Sequence, residues 1–264
     1  MPSISAILPC YNQGAFLDEA VQSLLAQSLV PDEIIIIDDG STEPETLAVL
    51  EKSSWPKTRV IRQDNAGVSA ARNAGISDSK GDYIVNLDSD DRFDPTFLEK
   101  ASQILDSDEK VGAVGSWVEV FGSRTGTWKP VGGTTADFLS ENQCTSNNLF
   151  RRTFWEKTGG FDETMKKGFE DWEFWLHGTS LGWSVSIIPE VLTFYRKKDV
   201  KSGMAVAYEN KPEIVAYIAK KHLALYQEHV VRVLKEKEEL VQRVYNSPVY
   251  TAGLEVLGKN HPLS

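Results

Sequence analysis

Few features restrict a fold as much as an apolar strand that runs straight into carboxylates. Gly81-Asp82-Tyr83-Ile84-Val85-Asn86-Leu87-Asp88-Ser89-Asp90-Asp91 opens on a turn pair, continues in a strand pattern and stops at three acidic side chains. Asp88 and Asp90 are two residues apart, so on an extended chain they point to one side and repel. Packing alone gives no reason for that arrangement. One reading is a solvated acidic turn, because Asp and Ser form turns well. The other is a divalent cation: Mg²⁺ and Mn²⁺ take oxygen ligands, usually one or two carboxylates together with substrate phosphate oxygens.

The segments on either side narrow the choice. Residues 4–8 read as a short buried strand stopped by Pro9, and residues 15–27 have helical periodicity through Phe16, Ala20 and Leu24. Glu33-Ile34-Ile35-Ile36-Ile37 is continuous and β-branched, as expected of a parallel strand covered on both faces. Residues 45–52, 58–62, 67–76 and 83–87 continue as helix, strand, helix and strand. That alternation predicts βαβ units and a mostly parallel sheet. Polar residues recur at the strand ends: Tyr11 and Asn12, Asp38 and Asp39, Asp64 and Asn65, Asp88 and Asp90. Ligands of open α/β sheets bind in the crevice outside those ends, and four such coincidences favour a site over solvated turns. No Gly-rich dinucleotide or P-loop signature accompanies them, so a metal is needed if phosphates bind here.

The second half alternates less strictly and is expected to be mixed or antiparallel. Asp94-Pro95 reads as a cap and first-turn proline for a helix reaching Ser107. A long strand is expected over 111–121, a short helix over 135–142, an extended segment over 145–150 and two short strands over 184–188 and 191–195. The helix beginning near Gly168 places Trp172, Trp175 and Leu176 on one face, roughly continued by Leu181. Glu170 and Asp171 fall in its first turn, where the macrodipole is expected to lower a carboxylate pKa. Residues 197–203 read as a polar loop. Residues 212–245 read as one long charged helix, and 248–264 carry an apolar pattern that needs a partner surface.

A formal net charge of −10 argues against a nucleic-acid partner, which requires a basic face. The two cysteines, Cys10 and Cys144, are far apart and in no metal-ligand spacing, a pattern suited to a reducing compartment. No cationic leader or membrane-length apolar run is present, so the expected address is the cytoplasm, with peripheral docking at the inner face of a membrane as an extension of it.

Leu8-Pro9-Cys10-Tyr11-Asn12, Ile36-Ile37-Asp38-Asp39-Gly40-Ser41-Thr42, Asn65-Ala66-Gly67-Val68-Ser69-Ala70-Ala71-Arg72-Asn73, Asp88-Ser89-Asp90-Asp91, and Gly159-Gly160-Phe161-Asp162 with Glu170-Asp171-Trp172 resemble, in order and approximate spacing, the inverting family-two glycosyltransferases of the GT-A fold. The resemblance implies an α/β fold with a GT-A-type domain over 1–205, divided into a nucleotide-sugar half (about 1–110) and an acceptor half (about 111–205). A helical extension over 206–264 lies outside it and is expected to serve self-association or docking at a membrane. By the same resemblance, Pro9, Tyr11, Asp39 and Arg72 lie on the donor side, with Asp39 accepting from a base N–H. Asp88 contacts ribose or metal, and Asp90 is the chief ligand of Mn²⁺ or Mg²⁺ on the diphosphate. Asp171 is the catalytic base, with Glu170 and Trp172 on the acceptor side. The implied donor is a nucleotide-diphosphate sugar, most commonly a UDP-sugar, and the acceptor a glycan or lipid-linked hydroxyl. One departure stands out: family members often carry a His soon after a Tyr-Arg pair, whereas Tyr195-Arg196 is followed by Lys197-Lys198-Asp199. Lys198 is then a candidate to neutralise the diphosphate, and Asp199 a candidate metal ligand. A nucleotidyltransferase and a non-catalytic nucleotide-sugar-binding or scaffold subunit are the competing readings. The first usually needs a basic Gly-rich loop, which Pro9 to Gly14 does not supply.

Overall fold

The computed structural model describes residues 2–52, 54–198 and 203–245. Asp199 and the segment 248–264 lie outside the described residues. The first half forms β1 (Ile4–Cys10), α1 (Gly14–Leu25), β2 (Glu33–Asp39), α2 (Pro44–Lys52), β3 (Thr58–Gln63), α3 (Val68–Asp78) and β4 (Tyr83–Asn86). Ile34 to Ile37 are completely buried, because helices cover both faces of β2. Leu17, Ala20, Val21 and Leu24 form the inward stripe of α1. Gly75 lets α3 approach the sheet: a Cβ there would lie 2.6 Å from Ile7 Cγ2.

The remainder comprises β5 (Arg92–Phe93), α4 (Phe97–Ser107), β6 (Val111–Gly122), β7 (Gly126–Trp128), α5 (Thr135–Phe138), β8 (Leu149–Arg151), α6 (Arg152–Thr158), α7 (Glu170–Ser180), β9 (Ser184–Lys197), α8 (Gly203–Glu209), α9 (Lys211–Lys221) and α10 (Leu223–Tyr245). Among the described residues the strands form one sheet in the order β3-β2-β1-β4-β8-β6-β9-β5, with β7 beside β6. β3, β2, β1 and β4 are mutually parallel. β8 then runs antiparallel to both β4 and β6, while β9 is parallel to β6. The chain therefore builds outward from β1 in one direction and resumes on its other side with β4. The crevice outside the carboxyl ends of β1 and β4 is the switch point at which such sheets bind ligands.

Several expectations need correction. The two strands over 184–188 and 191–195 are one strand, β9, whose register on β6 skips Pro189 and Glu190. A bulge accommodates a proline that cannot donate to the ladder. The single helix over 212–245 is two helices separated at His222. α6 is seven residues long, too short to show as periodicity. Thr96, not Asp94, is the N-cap of α4; the Asp94 carboxylate accepts from the Thr96 amide and hydroxyl. Leu181 caps the end of α7 and is exposed.

The chain separates into two compact units, residues 1–220 and 221–264. Within the first unit α8 and α9 bury Ala207, Ile214 and Ile218, and Lys167 pairs with Glu213. The Tyr217 hydroxyl donates to Asp162. The described part of the second unit is essentially α10, a charged helix with an Arg232–Glu236 pair on its surface. None of the described helices is long and apolar enough to cross a membrane.

Candidate active site

The crevice is assembled from the ends of β1, β2 and β4. Cys10 and Asp38 are register partners on β1 and β2, and Asp39 faces Gln63 on β3. Gly40 follows with φ 73°, and a Cβ there would meet the Asn65 amide at 2.7 Å. This turn holds the Asp39 carboxylate against the start of α3, where Oδ1 accepts from Gln63 Nε2 and the Ala66 amide and Oδ2 from the Gly67 amide at 2.8 Å. Helix N-terminal amides suit an anion. Tyr11, just past β1, is 47% exposed and available to a ligand, whereas Pro9 is buried in the strand.

Beyond β4 the three carboxylates take different partners. Asp88 Oδ1 accepts from Arg72 at 2.8 Å and Oδ2 from Ser146 Oγ at 3.1 Å. Asp90 pairs with Lys198 at 2.5 Å, and the Lys198 ammonium also donates to Gln13. Asp91 is sealed in the interior, receiving the Arg196 amide and Asn147 Nδ2, each at 2.7 Å. Burial, then the charges of Asp90 and Asp88, push the Asp91 carboxyl well above the usual carboxylate range. Burial and the same three carboxylates push the Tyr195 phenol up as well. Among the described residues no group of three or more His, Cys, Asp and Glu side chains is arranged to hold a metal ion. Asp88 and Asp90 nevertheless suit a cation whose coordination is completed by phosphate oxygens, because such sites take only one or two protein carboxylates.

The start of α7 is tied to the end of β4 through Arg72. Gly168 (φ 101°) and Phe169 (φ 57°) both adopt left-handed conformations there, an uncommon one for a Phe. Glu170 is buried and accepts from Arg72 at 2.7 Å. Arg72 is 2% exposed and joins Asp88 to Glu170, with Phe161 against its guanidinium. Burial alone would lower the Arg72 pKa, but Asp88 and Glu170 raise it. One buried cation therefore ties Asp88, past the end of β4, to Glu170 of α7. Sequence reasoning missed Ser146 and Asn147, which lie on a polar loop with no motif to mark them.

Asp171 is half-buried, with Oδ1 accepting from the Trp172 amide at 2.8 Å and Oδ2 from Asn142 Nδ2 at 2.9 Å. Its pKa is raised to about 7, against the expected lowering by the macrodipole. Burial is the main cause and the Glu170 charge the next, while Arg72, Asn142 and the Trp172 amide pull the other way. A dipole effect of about 1 kcal/mol is too small to offset desolvation of a carboxylate. Trp172 is 1% exposed, and its indole donates to Phe138 O at 2.6 Å.

The model of the family described as glycosyl transferase family 2 matches residues 5–172. The uncharacterized glycosyltransferase YwdF of Bacillus subtilis (strain 168) is 27% identical over 271 residues, covering 98% of each chain. The chondroitin synthase of Pasteurella multocida (strain Pm70) is 30% identical over 189 residues, which are 69% of this chain but 19% of that protein. Among solved structures, S. aureus TarS 1–349 in complex with UDP-GlcNAc superposes with a TM-score of 0.66 at 20% identity, covering 77% of this chain and 61% of that one. The chain thus spans about three fifths of the TarS fragment and a fifth of the synthase. The TarS likeness is one of fold: a mixed α/β sheet flanked by helices.

Proposed function

Because the chain belongs to glycosyl transferase family 2 and is a glycosyltransferase, we propose that it moves a sugar from a nucleotide-diphosphate donor to an acceptor hydroxyl with inversion, Asp171 being the base. The observation that carries this reading is Asp171 itself, a reachable carboxylate on α7 held by neutral donors, with a pKa of about 7 and joined through Glu170 and Arg72 to the strand-end acids. A base works best when its pKa lies near the operating pH. Asp171 takes the proton of the acceptor hydroxyl as that oxygen attacks the anomeric carbon from the face opposite the leaving diphosphate. Asp39 is fixed by Gln63 and by the Ala66 and Gly67 amides; its Oδ2, with a single hydrogen bond, has a second lone pair for a base N–H, and Tyr11 follows the neighbouring strand end. Asp90 and Asp88 would hold Mn²⁺ or Mg²⁺, which would supply charge neutralisation to the leaving diphosphate. Lys198 adds a further positive charge beside them.

The TarS complexes with UDP and with UDP-GlcNAc support a uridine nucleotide as the donor carrier. The chondroitin synthase relative supports a saccharide acceptor, so the proposed setting is polysaccharide assembly on a glycan or lipid-linked acceptor in the cytoplasm. Residues 206–264 are proposed to mediate self-association or peripheral docking at a membrane. The test is a thermal-shift panel of uridine, thymidine and guanosine diphosphates with and without Mn²⁺, run on wild type and Asp90→Ala. The nucleotide that binds the native state raises Tm by mass action. The largest shift is expected from UDP with Mn²⁺, and Asp90→Ala should lose the metal-dependent part while keeping its own Tm. Equal metal-dependent shifts in both proteins would remove Asp90 from the site.

A further inference from the structure

Asp171 has two fixed hydrogen bonds, and only one of them is local. The Trp172 amide belongs to the same helical turn, so it orients Oδ1 wherever α7 forms. The bond to Oδ2 comes from Asn142, on the separate segment between α5 and β8. The Asn142 amide cannot turn freely, because its own Oδ1 accepts from the Cys144 amide at 3.3 Å and so aims Nδ2 at Asp171. The same segment reaches the donor side, where Ser146 donates to Asp88 and Asn147 accepts from the Asp88 amide at 2.9 Å. Asn147 also holds Asp91, and Trp175 of α7 donates to Thr145 O. One short loop is therefore stitched both to the strand-end acids and to the helix that carries the base.

We infer that Asn142 is the positioning residue for the base: its side-chain amide fixes the second oxygen of Asp171 and supports its charged form, tying the base to the loop that also holds Asp88. This rests on the assignment of Asp171 as the base. The charged and titratable groups facing Asp171 are Glu170 on its own helix, Arg72 from α3 and the buried Cys144 thiol. Burial pushes that thiol up to about 12, so it stays neutral and supports no charge on Asp171. Removing the Asn142 donor takes away one of the three influences that favour the carboxylate, and a hydrogen bond to the charged form is worth more than a neutral one.

Two substitutions separate positioning from loop structure. Asn142→Ala loses both the donor and the acceptor, whereas Asn142→Asp keeps the acceptor for the Cys144 amide and sets a carboxylate against Asp171. The measurement is kcat against pH at saturating donor and acceptor, with donor KM and Tm for each protein. The expected result is an acidic limb displaced upward by about one pH unit in Asn142→Ala and further in Asn142→Asp. At pH 6 that displacement lowers kcat by about tenfold in the Ala variant, with donor KM unchanged. A loop-holding role predicts the opposite order, Asn142→Asp performing at least as well as Asn142→Ala. That order, an unmoved limb in both variants, or a loss confined to donor KM, would overturn the inference. Asp171→Asn in the same assay keeps the two assignments apart. If it retains kcat, the base assignment fails; if it is inactive while both Asn142 variants match wild type, only the role of Asn142 fails.

Discussion

Two acidic clusters meet at Arg72, and they are held by opposite means. At the end of β4, Asp88 and Asp90 each lean on a cation, Arg72 and Lys198. At the start of α7, Glu170 takes the other side of Arg72, while Asp171 meets only neutral donors, Asn142 and the Trp172 amide. A carboxylate set beside a cation offers its charged oxygens to positive partners, which suits a metal ligand. A carboxylate with neutral donors in a desolvated position exchanges its proton near neutrality, which suits a base. Asp91 shows that pKa alone is not the criterion. It too has neutral donors and a raised pKa, but it is sealed inside the fold and cannot reach a substrate. Access and pairing together separate the three roles.

The contrast breaks most sharply at Asp171. Asn in its place keeps the shape and removes the proton acceptor, so kcat should fall by about 10²–10⁴-fold while donor binding survives. In wild type, kcat should decline about tenfold per unit below pH 7, following the raised pKa. The sign for stability is the reverse of the usual Asp case. With a folded pKa near 7 and an ordinary unfolded one, the wild-type fold loses stability as pH rises through 7. Thermal melts should therefore show Asp171→Asn stabilised relative to wild type at pH 8 and not at pH 4, by on the order of 2 kcal/mol. Near-normal kcat in this variant would mean that the base is elsewhere.

Glu170 sharpens the comparison from the structural side. Glu170→Gln leaves buried Arg72 with an uncharged partner, so the expected cost is about 1–3 kcal/mol of stability, read as a lower denaturant midpoint. The kcat of the folded variant should fall far less than that of Asp171→Asn. A larger kinetic loss at Glu170 would exchange the roles of the two carboxylates. The smallest effect is expected at Trp172. Trp172→Phe removes the indole bond to Phe138 O and should cost about 1 kcal/mol in chemical denaturation, with acceptor KM unchanged. A specific rise in acceptor KM would place this side chain on the acceptor side.

Much of this molecule follows from short-range chemistry that a sequence displays directly. Four consecutive isoleucines must be covered on both faces, which makes β2 a parallel, interior strand. Alternating helices and strands dictate βαβ winding, and ligand-capable residues at strand ends dictate where the crevice lies. The candidacy of Asp39, Asp88 and Asp90 follows from those placements, whereas Asp171 is marked by its place in the first turn of α7 and by the family resemblance. What the sequence does not display is which partner each carboxylate meets, because that depends on contacts between residues far apart in the chain. The partners of Arg72, Asp88 and Glu170, lie 16 and 98 residues away and are set beside it only by the fold. Trp172 lies on the apolar face of its helix, but that its indole donates to Phe138 O is decided only when α7 packs. The direction of the Asp171 pKa shift was decided the same way: the helix dipole is visible in the sequence, but the larger desolvation arises only when the surrounding elements close over the carboxylate.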